Sequence, residues 1–163
     1  RLEAQHLLTR LHNGYAINPR IPISNATRIA DVAACTGVWL FDLAPELPSD
    51  VLLHGYDISD EQIPSQKLWR SNVQLGLMDA FEDPPASVLG TYDVVHVEYL
   101  AITVGRGRDL NVVIDHALKL LKAGGYLQWE EGNLSSHEVR GSVAEKFTGK
   151  IDKLLKDTGT DFG

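Results

Sequence analysis

Four short segments of this chain place acidic, small or aromatic residues where an apolar strand would otherwise simply stop. The first is Asp31-Val32-Ala33-Ala34-Cys35-Thr36-Gly37, which runs into a helical pattern. Small residues let the backbone approach a ligand closely, and the amino end of a helix offers unpaired N–H groups. A tight strand-to-helix turn without a ligand would use the same residues. The second segment, Leu53-His54-Gly55-Tyr56-Asp57, ends in an acid twenty positions after Gly37. A carboxylate there can accept hydrogen bonds from both ribose hydroxyls of a nucleoside. It could equally cap the segment that follows, as could Ser59 or Asp60. The third is Met78-Asp79-Ala80-Phe81. Asp79 could accept from an exocyclic adenine amine while Met78 or Phe81 covers the purine; alternatively, a loop begins here and Phe81 joins the core. The fourth is Tyr92-Asp93-Val94-Val95-His96-Val97-Glu98-Tyr99, where alternation puts His96 and Glu98 on one face and Val95 and Val97 on the other. A polar pair on a buried strand is costly unless satisfied or used. A histidine satisfied within the core is the simpler alternative to catalysis.

The elements that must position these groups recur in a fixed rhythm: an apolar, β-branched run, a turn, then a helical segment. Strands are expected at Arg28 to Ala34, Val51 to Ile58, Val73 to Ala80, Tyr92 to Leu100 and Tyr126 to Trp129. A helix is expected from Val38, with Trp39, Leu40, Leu43 and Leu47 on one face and Pro45 ending or kinking it. Another covers Leu110 to Leu121, closed by Lys122-Ala123-Gly124-Gly125 with a left-handed glycine cap. Leu2, His6, Leu7 and Leu11 open the chain as a helix, and an amphipathic helix runs from about Val139 to Leu155. Five strands alternating with helices predict an α/β, doubly wound, mostly parallel sheet with helices on both faces. Ligand would bind outside the carboxyl ends of its strands.

The 163 residues, 44% hydrophobic and 23% charged, suit one globular domain with a proper core. A net charge of −7, with no Lys/Arg cluster to offset it, argues against nucleic acid as a partner. Cys35 is the only cysteine, so neither a disulfide framework nor a cysteine zinc site is available, and no metal site is expected. That usage suits a reducing, cytoplasmic setting. No apolar run approaches the roughly 18 residues of a membrane span.

In order and spacing, these segments resemble the class I S-adenosylmethionine-dependent methyltransferases, whose first motif is D/E-x-G-x-G-x-G. More narrowly, the chain resembles the small-molecule methyltransferases of fungal secondary metabolism. The phrases that carry this are Arg28-Ile-Ala-Asp-Val, Gly37-Val-Trp-Leu-Phe-Asp-Leu, Gly55-Tyr-Asp-Ile-Ser, Met78-Asp-Ala-Phe, Tyr92-Asp-Val-Val-His-Val and Leu121-Lys-Ala-Gly-Gly-Tyr-Leu-Gln-Trp-Glu. Arg1-Leu-Glu-Ala-Gln-His and Asn18-Pro also resemble that family's cap helix. The resemblance implies that Asp31 and the loop through Ala33, Ala34 and Gly37 hold the methionine part of S-adenosyl-L-methionine. It implies that Asp57 takes the ribose, Ile58 packs on the adenine, and Met78, Asp79 and Ala80 border the adenine. Val97 and Glu98 would lie beside the methionine and the acceptor, and Arg1, Gln5 and His6 would form part of a lid. The chain departs from the motif at two glycines, replaced by Ala33 and Cys35. Alanine is tolerable there if φ is negative, whereas the Cys35 side chain projects toward space the cofactor needs. Relatives often carry arginine where this chain has Glu98.

The implied activity is methyl transfer to an O, N or S atom of a small, secondary-metabolite-like acceptor. His96, Glu98 or His6 could serve where the acceptor must lose a proton. Three other readings stand beside it, one of them a relative that uses the cofactor site for a reaction other than methylation. A catalytically weak or silent relative acting as a binding partner or regulator is suggested by Ala33 and Cys35. An NAD-dependent oxidoreductase would share the sheet and the ribose acid, but this loop lacks the G-x-G-x-x-G spacing. The chain is expected to be one methyltransferase domain, with residues 1–27 as cap or lid helix and connection. Residues 28–133 would form the cofactor-binding core, and 134–163 a terminal helix leading to further strands. The opening Arg1 and the trailing 159–163 suggest a piece of a longer protein.

Overall fold

The structure, a computed structural model, describes residues 1–101, 108–132, 141, 142, 146, 149, 150 and 153. Helix α1 (Leu2–Asn13) ends where Gly14 turns left-handed at φ 79° and its N–H reaches the Arg10 carbonyl at 2.8 Å. Of the expected stripe only His6 is buried; Leu7 and Leu11 stay exposed. Then come β1 (Arg28–Val32), α2 (Val38–Leu43), β2 (Leu52–Asp57), β3 (Val73–Leu77), β4 (Tyr92–Glu98), α3 (Leu110–Leu120) and β5 (Leu121–Glu130). The five strands form one parallel sheet in the order β3-β2-β1-β4-β5. The doubly wound architecture expected from the sequence is therefore the one observed.

Strands β1 and β4 lie at the centre, where Ile29, Ala30, Val94, Val95 and Val97 have no exposed surface. A parallel strand covered on both faces favours a near-continuous apolar run, which the interiors of these two strands keep except at Asp31, Asp93 and His96. Trp39, Leu40 and Leu43 of α2 pack into the core with Ile29, Val51, Leu53, Val73 and Val94. The helix stops at Leu43, two residues before Pro45, so Leu47 reaches the same core from the segment after it. Gly55 lets this happen. A Cβ there would sit 2.3 Å from Leu75 Cδ2 and 2.7 Å from Leu40 Cδ1.

The amino ends of the central strands share one clasp. Asp93 Oδ2 accepts the Arg28 N–H at 2.8 Å, and Lys122 Nζ donates to both Asp93 oxygens at 2.8 Å. Burial works against the Asp93 charge, but Lys122 and the Arg28 N–H outweigh it and hold the carboxyl below its usual range.

One expectation is corrected here. The helix before β5 ends at Leu120, and Gly124 does not cap it. Gly124, at φ 81°, lies within the span of β5, where the pairing with β4 is irregular between Tyr92–Leu121 and Val94–Tyr126. The two glycines thus serve an interrupted strand. β1 and β3 also stop short of their expected ends, at Val32 and Leu77, because the chain turns out of the sheet just beyond them.

The chain divides into two compact units, Arg1–Glu98 with Leu110–Glu130, and Tyr99–Asp109 with Glu131–Gly163. The first holds the whole sheet. In the second, the Ala101 N–H donates to Glu131 Oε1 at 2.8 Å. The helix expected over 139–155 falls largely outside the described residues. Among the described residues, no helix is long and apolar enough to cross a membrane.

Two measurements test this packing. Gly55→Ala should lose about 1–3 kcal/mol in urea denaturation, because Leu75 and Leu40 must shift; a variant as stable as the parent would contradict that contact. Asp93→Asn should lose about 1 kcal/mol at neutral pH, allowing for solvent screening. The sign follows from the lowered carboxyl: the contribution is present above the unfolded value and lost as pH falls through the folded one. The parent and variant curves should therefore converge in acid.

Candidate functional site

Beyond Val32 the backbone leaves the sheet through three left-handed residues, Ala33 at φ 62°, Cys35 at φ 52° and Gly37 at φ 71°. The condition under which alanine would be tolerated without strain, a negative φ, is not met at Ala33. Each non-glycine residue in this region costs roughly 1–2 kcal/mol, since Cβ crowds a neighbouring carbonyl. The loop is held in place by the end of β2: the Ala34 N–H donates to the Tyr56 carbonyl at 2.9 Å and the Cys35 N–H to Asp57 Oδ2 at 2.8 Å. A further bond from the Gly37 N–H to the Ala34 carbonyl at 2.7 Å closes the turn into α2. Burial and the neighbouring Asp57 push the half-buried Cys35 thiol up, so it stays protonated.

Asp57 has two local duties. Besides the Cys35 N–H, its Oδ1 accepts the Ser59 N–H at 3.2 Å, so the turn-capping alternative is realised alongside the contact with the loop. Ile58, next to it, is 65% exposed. The Met78 N–H donates to the Asp57 carbonyl at 2.9 Å, bringing the third strand end against the second. Asp79 Oδ1 accepts the Phe81 N–H at 2.9 Å, and the Ala80 carbonyl accepts from His116 Nδ1 at 3.1 Å. Met78, Asp79 and Ala80 are all half-buried. Ala33, Ala34, Gly37, Asp57, Ile58, Met78, Asp79 and Ala80 thus gather at the carboxyl ends of β1, β2 and β3.

Asp31, His96, Val97 and Glu98 gather at the ends of β1 and β4. His96 is wholly buried, its ring stacked on Trp39 at 3.8 Å between centroids and 6° between planes. Its Nδ1 lies 2.8 Å from Asp31 Oδ1 and its Nε2 3.7 Å from Glu130 Oε2. Burial opposes a charge on the ring, but Asp31 and Glu130 overcome it and push the imidazole up to about 9. His96 is therefore a held cation at neutral pH. Burial also pushes the Asp31 carboxyl up, against the pull of His96. Val97 is wholly buried, backbone and side chain alike.

Glu98 is held below the usual carboxylate range although burial works against it, because His6 and His96 stabilise its charge. His6 of α1 places Nδ1 3.9 Å from Glu98 Oε2 and Nε2 2.9 Å from Asp42 Oδ2. Glu98 and then Asp42 keep it protonated above its ordinary value. Arg10 adds hydrogen bonds to Asp42 and Glu46, so α1 is anchored to α2 by charge. The expected lid residue His6 therefore lies beside Glu98; Gln5 is half-buried and Arg1 exposed. The sequence reading passed over Glu130 and Asp42. Glu130 ends an apolar strand, as Glu98 does, and that shared position was a usable signal. Asp42 left none, since a helical acid ordinarily faces water.

No family model matches the chain. Over 96% of its length it is 29% identical to a methyltransferase of a Penicillium species, grgD, and covers 56% of that protein. It is likewise 29% identical, over 82% of its length, to the N-methyltransferase tcpN of Claviceps purpurea, covering 48% of it. The chain thus spans about half the length of these relatives. Among solved structures, a SAM-dependent methyltransferase from Aquifex aeolicus superposes with a TM-score of 0.62 at 14% identity. The superposition covers 96% of this chain and 87% of that one. Phosphoethanolamine N-methyltransferase 2 of Haemonchus contortus, solved with S-adenosyl-L-methionine, gives 0.58 at 18% identity, covering 96% and 36%. The chain shares its fold with these solved methyltransferases, and its sequence is similar to the two fungal methyltransferases.

Proposed function

We propose that this chain is the cofactor-binding part of an S-adenosylmethionine-dependent methyltransferase acting on an O, N or S atom of a small molecule. One observation carries the reading: the left-handed loop after β1 is fastened to the Asp57 carboxylate at the end of β2. Both stand beside the point where the strand order reverses between β1 and β4, which is where doubly wound sheets bind nucleotides. The residues present fit the cofactor. Asp57 accepts for the ribose, exposed Ile58 covers the adenine, and Met78, Asp79 and Ala80 border its edge. Asp31, with the backbone of Ala33, Ala34 and Gly37, faces the methionine part.

When bound, S-adenosylmethionine supplies a methyl group activated on a sulfonium. The chain's own residues align the acceptor, and alignment alone contributes roughly 7–11 kcal/mol in well-oriented reactions. Glu98, with Oε1 free of hydrogen bonds, receives the acceptor's proton where one must leave. His96, buried and charged, positions it from behind. The similar fungal protein tcpN is an N-methyltransferase, which favours nitrogen as the acceptor atom.

A second reading, a weak or silent relative that acts by binding a protein partner, is favoured by the positive φ of Ala33 and Cys35. The chain there keeps the strained turn while lacking the glycines that relax it.

Calorimetric titration with S-adenosylhomocysteine tests the first reading. Asp57→Ala should weaken binding roughly tenfold or more, as expected for loss of a charged hydrogen bond; unchanged affinity would remove Asp57 from the ribose. Cys35→Gly should tighten binding by relieving strain, offset in part by backbone entropy. Turnover that appears only in the glycine variant would favour the silent-partner reading of the natural chain.

A further inference from the structure

At the carboxyl ends of β4 and β5, one imidazole nitrogen and two carboxylates converge. A ring nitrogen of His96, a carboxylate oxygen of Glu98 and one of Glu130 all lie within 4.8 Å of one another, and His96 Nε2 is 3.7 Å from Glu130 Oε2. His96 is fully buried, yet its Nε2 has no hydrogen-bond partner, and neither has Glu98 Oε1. Leaving such atoms unpaired in the interior is costly unless something meets them. The other imidazole nitrogen is already fixed, by Asp31 at 2.8 Å, with the ring clamped against Trp39 at 3.8 Å. Metal-binding histidines are commonly oriented in this way, their second nitrogen held by a carboxylate. Glu130 is oriented too: its Oε1 accepts from Asn13 Nδ2 at 2.9 Å and from Gln128 Nε2 at 3.2 Å. That leaves Oε2 turned toward His96.

We infer that His96, Glu98 and Glu130 bind one first-row divalent cation, with Asp31 as the positioning partner of His96. Ligand atoms about 2.0–2.2 Å from a shared zinc ion lie at most about 4.4 Å apart, so small rotations of two glutamates complete the site. One nitrogen with two carboxylate oxygens favours zinc, manganese or cobalt over calcium or magnesium. Charge agrees: three carboxylates, Asp31, Glu98 and Glu130, surround a single imidazole, and a divalent ion in place of its proton balances them better. His6, on the other side of Glu98, limits the excess negative charge. Glu130 also lines an open cleft with Asn13, Tyr15, Asn18 and Arg20, which offers the ion a way in. The site adjoins the proposed cofactor crevice through Asp31 and Glu98, and metal binding is read separately from methyl transfer.

The test is calorimetric titration of the chain with Zn²⁺ in a non-chelating buffer, and with Co²⁺ while recording the visible spectrum. The expected result is one ion per chain and cobalt bands of a protein-bound N/O site. Glu98→Gln and Glu130→Gln, both at partly exposed positions and checked for folding by circular dichroism, should each weaken binding more than tenfold. That is at least the loss seen when an outer partner is removed. Asp50→Asn, an exposed acid elsewhere, should leave it unchanged. Absence of stoichiometric binding, or equal affinity in parent and both glutamine variants, overturns the site and leaves a protonated His96 bridging its carboxylates.

Discussion

The contact between Asp31 and His96, 2.8 Å long and without solvent, is the constraint on which the middle of this structure depends. The two residues stand side by side in the register of β1 and β4, the strands from which the sheet grows in opposite directions. Two polar groups so deep in a sheet are tolerable only as a pair, because either alone would leave an uncompensated buried charge. Their pairing fixes the lateral register of the central strands near their carboxyl ends. It also sets the direction of the imidazole, and through it the field felt by Glu98 and Glu130.

The loop after β1 shows a second constraint, this time of backbone geometry. To fold back onto Asp57 and still start α2, the chain turns left-handed three times within five residues, twice without glycine. The strain is carried by the hydrogen bonds of Ala34, Cys35 and Gly37 and by the burial of α2 beneath them. Strain of this kind concentrates at functional sites, where the surroundings over-determine an unfavourable conformation. Ala33 and Cys35 thus hold conformations that glycine would adopt without strain.

Helix α1 illustrates how charge can replace apolar packing. It buries only His6 and leaves Leu7, Leu8 and Leu11 exposed. His6 and Arg10 both reach Asp42, and Arg10 reaches Glu46 as well. The helix is thus held over the strand ends by a cluster of ion pairs that also delivers His6 to Glu98.

The sequence by itself determined the sheet and most of the strand-end residues. Unbroken β-branched runs separated by turns and helical segments admit few alternatives to a doubly wound parallel sheet. Acids closing such runs, as Asp57 and Glu98 do, are visible because burial makes them expensive. Strand ends were less legible, since Ala33, Ala34 and Met78 suit a strand as well as the turn that tertiary contacts impose. The Gly124-Gly125 pair resembled a helix cap, and only the pairing of Leu121 and Tyr126 on either side of it with β4 showed it to lie within an interrupted strand. What the tertiary structure alone decided is the company each side chain keeps. Asp31 and His96 are 65 residues apart, His6 and Asp42 36 apart, and no local pattern encodes those meetings. They arise because crossovers lay β1 against β4, β4 against β5 and α1 against α2. Burial then obliges the charges to find one another.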